Sequence, residues 1–90
     1  MRAVYVMKDG NESETFMGQL PMNMKDKIQP NERLLMAYKG EYVRVVSRTS
    51  EFMLDDVDWR MRRLGVKQFN PIVGRFIYEE VLWADENTGV

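Results

Sequence analysis

The chain contains no cysteine and no histidine. Disulfides, thiol catalysis, cysteine or histidine metal sites and imidazole acid–base chemistry are therefore excluded. An excess of either charge is also lacking: 13 Lys and Arg stand against 14 Asp and Glu, a net charge of −1. No global field draws such a chain towards nucleic acid or anionic lipid. Apolar runs fall far short of the roughly 20 residues a membrane-spanning helix needs. Met1 to Met7 is too short for a secretory signal, so a cytoplasmic location and no membrane partner are the expectation. There is no nucleotide-binding glycine loop, nucleophile elbow, metal-binding loop or internal repeat. These absences point away from an enzyme, and they imply no cofactor and no metal.

What is present is ordinary globular material: 44% hydrophobic and 30% charged residues over a 90-residue chain. That length implies a single small domain, 1–90, whose modest core benefits from a partner or from self-association. The segment Glu32 to Arg48 reads as a β-hairpin turning at Lys39-Gly40, with glycine supplying the positive φ of a tight turn. The register that follows pairs Tyr38 with Glu41, Met36 with Val43 and Leu34 with Val45. It gathers Leu34, Met36, Val43 and Val45 on one face and leaves Leu35, Ala37, Tyr42, Arg44 and Val46 on the other.

Arg2 to Lys8 is rich in β-branched and aromatic residues and reads as a first strand, closed by Lys8-Asp9-Gly10-Asn11. Glu14 to Leu20 reads as its antiparallel partner, weakened by Gly18. Pro21 to Pro30 alternates apolar and polar residues between two prolines and reads as a loop. Leu54 to Leu64 has the marks of a helix: Asp55 as cap, acidic residues first, arginines last and Gly65 as stop. Leu54, Val57, Met61 and Leu64 form its apolar stripe. Asn70-Pro71 has the form of a helix start, and Arg75 to Trp83 reads as one further strand opened by Gly74, with helix as the alternative over 71–83. Residues 84–90 are an acidic tail expected to fray.

Four groups of side chains are candidates for function. Trp59 points roughly 160–200° from the helix stripe, beside Arg62 and Arg63, which is the composition of a partner-binding hot spot; the alternative is packing under a loop. Arg44, Arg48, Arg60 and Arg63 form a basic set suited to nucleic-acid phosphates. Asp56 and Asp58, however, lie four residues before Arg60 and Arg62 and pair with them along a helix. Asp55, Asp56 and Asp58, with Glu79 and Glu80, are the carboxylates available to a metal, but capping already accounts for the aspartates. Met22 and Met24, in the proline-bounded loop, supply either an adaptable partner surface or, folded back, filler for the core. Tyr5, Tyr38, Tyr42 and Tyr78 are expected to pack on the sheet with their hydroxyls wet.

In general character (small, free of cysteine and histidine, a tight hairpin ahead of a helix) the chain resembles small bacteriophage proteins, both virion-joining components and host-directed inhibitors. The resemblance covers no diagnostic motif and carries no functional residue across. The expected fold is α+β: a small, mostly antiparallel sheet of about five strands in hairpins, with one amphipathic helix packed on one face. An SH3-like, partly closed barrel is the alternative. The expected function is a non-catalytic protein–protein interaction module, an adaptor, inhibitor or small assembly subunit of phage or mobile-element type. Nucleic-acid binding through the hairpin and helix arginines is the alternative.

Overall fold

The computed structural model describes residues 1–55 and 69–84. Within them the chain runs through β1 (Arg2–Lys8), β2 (Asn11–Leu20), β3 (Arg33–Tyr38), β4 (Glu41–Ser47), β5 (Phe52–Met53), β6 (Asn70–Ile77) and β7 (Glu80–Trp83). The Glu32–Arg48 hairpin has the register that its turn dictates, with Tyr38 opposite Glu41, Met36 opposite Val43 and Leu34 opposite Val45. Lys39 and Gly40 both take positive φ, at 50° and 79°, the backbone whose twist matches that of the flanking strands.

Strand order decides the architecture. β1 pairs with β2 and β4, β4 with β3, and β3 with β6, all antiparallel. A short parallel seam, Gly18 with Asn70 and Gln19 with Pro71, joins β6 back to β2 and closes a five-stranded barrel. The expected α+β sheet with a covering helix is therefore corrected: no helix occurs among the described residues, and the SH3-like barrel alternative is the one that fits. The physical reason is that the apolar face thought to need a helix is the barrel's own interior. Val4, Val6, Leu20, Leu34, Met36, Val45 and Ile72 fill it. Of the expected helix Leu54–Leu64, Leu54 and Asp55 are not helical, and 56–64 lie outside the described residues. Leu54 packs instead with Ala3 and Met17 in a second cluster, on the outer side of β1 and β2. β1 is thus buried on both faces, with Ala3, Val4 and Val6 all fully covered.

Closure needs Gly18. A Cβ there would lie 2.8 Å from Ile72 Cδ1 across the interior, well inside van der Waals contact. The residue that weakens a strand in isolation is what lets β2 meet β6.

Two further expectations are corrected at the C-terminal end. Asn70 and Pro71 begin β6 rather than a helix, and proline sits at the first positions of a strand, where its missing N–H is tolerated. Arg75 to Trp83 is a hairpin and not one strand: β6 and β7 pair Ile77 with Glu80 and Gly74 with Trp83 across a turn at Tyr78-Glu79. Tyr78 makes that turn with φ at 57°.

The loop between β2 and β3 joins strands that are not neighbours in the ring, so it crosses one end of the barrel. It drops Met24 and Ile28 into the core as a plug. No helix among the described residues is long and apolar enough to cross a membrane.

Candidate functional site

Arginine appears in two settings in this fold, and they separate structural chemistry from available chemistry. The first setting is the plugged end of the barrel. Arg2 Nε and Nη2 donate to the two carboxylate oxygens of Glu51, each at 2.7 Å, while Nη1 donates to the carbonyls of Pro21 at 3.0 Å and Met24 at 2.7 Å. Glu51 in turn accepts from the Ile28 backbone N–H at 2.8 Å. Both side chains are largely covered, at 12% and 7% exposure. The guanidinium hydrogen bond holds the Glu51 carboxyl below its ordinary range, against the opposing effect of burial, and the Ile28 N–H adds to the lowering. The same bond raises Arg2.

A second clamp holds the other side of the loop. Arg75 Nη2 meets Glu32 Oε2 at 2.6 Å and its Nη1 donates to the Lys25 carbonyl at 3.1 Å. Buried Ser47 completes it, donating from Oγ to the Gln29 carbonyl and accepting from the Glu32 N–H. A hollow of about 420 Å³ opens beside Arg2, Met24, Lys27, Glu51 and Phe52. Of its charged lining, Arg2 and Glu51 are engaged with one another and hold the loop in place.

The second setting is the outer surface of β3, β4, β6 and β7. Strand alternation directs Tyr42 and Arg44 of β4 outwards, because Val43 and Val45 face the core. Arg33 projects from β3 on the same side. The turn at Tyr78-Glu79 folds β7 back so that Gly74 pairs with Trp83 and Phe76 with Val81, placing Phe76, Val81 and Trp83 on that face as well. The Arg44 and Arg33 guanidinium carbons stand 5.0 Å and 5.7 Å from the Phe76 ring centroid. Tyr42, 64% exposed, meets Trp83 edge-on with centroids 5.3 Å apart. Arg33 Nη2 donates to the Tyr78 carbonyl at 2.6 Å and its Nη1 lies 3.6 Å from Glu79. No carboxylate pairs with Arg44 among the described residues.

The candidate residues read from sequence are distributed unevenly over this picture. Trp59, Arg60, Arg62 and Arg63, with Asp56 and Asp58, lie outside the described residues. Met22 is exposed, at 68%. Met24, named with it as partner-binding, is corrected: it is 4% exposed and part of the barrel core. Arg44 and Arg48 do not form one basic patch. Arg44 turns towards Phe76 on β6, whereas Arg48 turns the other way and donates to Thr15 Oγ1 at 2.9 Å on β2. Glu79 sits in the turn and Glu80 opens β7, so they are not adjacent strand residues. No cluster of three carboxylates suited to a metal occurs among the described residues. Tyr5 packs on Phe52 and Tyr38 on Phe16, as sheet packing implies. Tyr78 is the exception, a turn residue 86% exposed.

Sequence reasoning passed over Phe76, Trp83 and Arg33. A continuous strand from 75 to 83 would put Phe76 and Trp83 on opposite faces, and only the turn brings them together. No family model, no curated protein and no solved structure matches this chain.

Proposed function

We propose that the protein is a non-catalytic protein-interaction module, working in the cytoplasm, and that the Arg33–Tyr42–Arg44–Phe76 face is its contact surface. The observation that carries this reading is the Phe76 ring flanked by two guanidiniums, with exposed Tyr42 alongside. Aromatic and arginine side chains on a rigid support are the residue types that dominate binding energy at protein interfaces. β-Strands hold them more firmly than a loop would, so little side-chain freedom remains to be lost on binding.

The nucleic-acid alternative has weaker support. Tracking a phosphate backbone takes several cations in a row. Here Arg48 turns towards β2, Arg33 is engaged with Tyr78 and Glu79, and Glu79 places a carboxylate at the rim. Affinity capture with the immobilised chain, with and without nuclease, tests the choice. A protein retained after nuclease treatment by the native chain, and lost with Tyr42→Ala, is the expected result. Capture that disappears with nuclease, and equally with Arg44→Ala, would overturn it.

A further inference from the structure

We infer that the occupant of this face is an extended acidic protein segment, one carboxylate of which pairs with Arg44 while an apolar side chain two residues away lies against Tyr42. The inference rests on the interaction-module reading and names the chemistry of its partner.

Charge complementarity is the first argument. Arg44 is exposed, sits over Phe76 and has no carboxylate among the described residues. A guanidinium held over a ring keeps its in-plane N–H edge available, and that edge fits a carboxylate bidentately. Neighbouring Arg33 is already engaged by the Tyr78 carbonyl and Glu79. The face therefore offers one open cationic position, which suits a single carboxylate better than a string of phosphates.

Spacing is the second. Tyr42 and Arg44 are alternate residues of one strand, about 6.5 Å apart along it. Same-side residues of an extended ligand repeat at the same interval, so an acidic residue and an apolar residue two positions apart meet Arg44 and Tyr42 together.

The third argument is a residue held against its own preference. Tyr78 takes φ at 57° and remains 86% exposed. The two-residue turn demands that φ, and a bulky side chain adopts it at a cost of about 1–2 kcal/mol. Its carbonyl is bonded to Arg33, the residue beside Phe76, which puts the tyrosine at the rim of the same face. The turn leaves this aromatic exposed at the rim, where it is available for a contact made in a complex.

The test is selection of a displayed library of random short peptides on the immobilised full chain, with oligothymidylate as a nucleic-acid probe in parallel. The expected result is enrichment of Asp or Glu two positions from an aliphatic or aromatic residue. The enriched peptide should bind Arg44→Ala about tenfold more weakly, the scale of one charge-assisted pair. Arg44→Glu should reverse the selection, favouring Lys or Arg at the acidic position, and circular dichroism should show both variants folded. Enriched peptides with no acidic preference, or a preference that Arg44→Glu leaves intact, would overturn the acidic segment while leaving the interaction module standing. No enrichment above bare support overturns the extended segment and leaves the module to the capture experiment. Oligothymidylate binding lost in both Arg44→Ala and Phe76→Ala overturns both readings.

Discussion

Arg2 and Arg44 are the same side chain on strands that pair with one another, and the fold uses them in opposite ways. Arg2 is engaged on every nitrogen: Glu51 takes two, and loop carbonyls take the third and share the second. It ties β1 to a loop that would otherwise leave one end of the barrel open. Arg44 stands over a ring and pairs with no carboxylate among the described residues. Burial makes the difference. A guanidinium withdrawn from water must be fully paired, because an unpaired buried charge is costly. An exposed one carries no such demand and stays available to a partner. Number and type of charged residues say nothing about which arginine builds the barrel and which one meets the outside.

The largest effect expected from breaking this contrast is at the buried end. Arg2→Ala removes the cation that pairs with largely buried Glu51 and the donor to the Pro21 and Met24 carbonyls, a loss of about 3 kcal/mol. For a domain of this size that lowers the melting temperature on the order of 15 °C, which calorimetry reads directly. The same pair gives the native protein a pH signature. Glu51 is held below its ordinary carboxylate value, so between the unfolded and folded values the unfolded chain binds more protons. Its stabilisation is complete above the ordinary Glu value of 4.5 and is lost as pH falls through the lower folded value. Arg2 is raised above its ordinary value, so its share is complete below that ordinary value and is lost only as pH climbs through the raised one. In acid titrations of stability, Glu51→Gln should flatten the limb below the carboxylate range. A limb unchanged in that variant would mean that other carboxylates carry it.

A smaller loss is expected at the far side of the plug. Ser47→Ala removes the hydroxyl that serves both the Gln29 carbonyl and the Glu32 N–H. Leaving such groups unsatisfied costs about 1–3 kcal/mol. Urea unfolding should show the midpoint fall with the slope unchanged, since the surface exposed on unfolding stays the same.

What was legible in the sequence followed local signals. Lys39-Gly40 declares its turn, and alternation on either side then assigns faces and register, which the barrel keeps. Arg2–Lys8 is the first strand with the bounds its β-branched run implies. What was not legible lacked a local signal. The Tyr78-Glu79 turn contains no glycine, proline or asparagine, so two short strands looked like one long one. Closure depends on two residue pairs between β2 and β6, distant in sequence, and Gly18 makes sense only beside Ile72. Without closure in view, an apolar sheet face calls for a covering helix, and α+β was the natural expectation. The candidate site divides along the same line. Alternation puts Tyr42 and Arg44 on one face of the hairpin, while a single strand over 75–83 parts Phe76 from Trp83. Trp59 with Arg60, Arg62 and Arg63 lies outside the described residues.

The smallest expected effect is the most discriminating. Arg44→Ala removes an exposed guanidinium whose intramolecular contact is the Phe76 ring, an interaction of about 0.5–1 kcal/mol at exposed sites. Removing the charge leaves no buried group unpaired, so the net change in stability should stay near ~0.5 kcal/mol. A melting temperature close to that of the native chain, measured beside Arg2→Ala under one buffer, places Arg44 on a surface that folding does not need. A drop as large as that of Arg2→Ala would end the contrast: Arg44 would then be another brace of the barrel, and the face around Phe76 would hold the strands together instead of awaiting a partner.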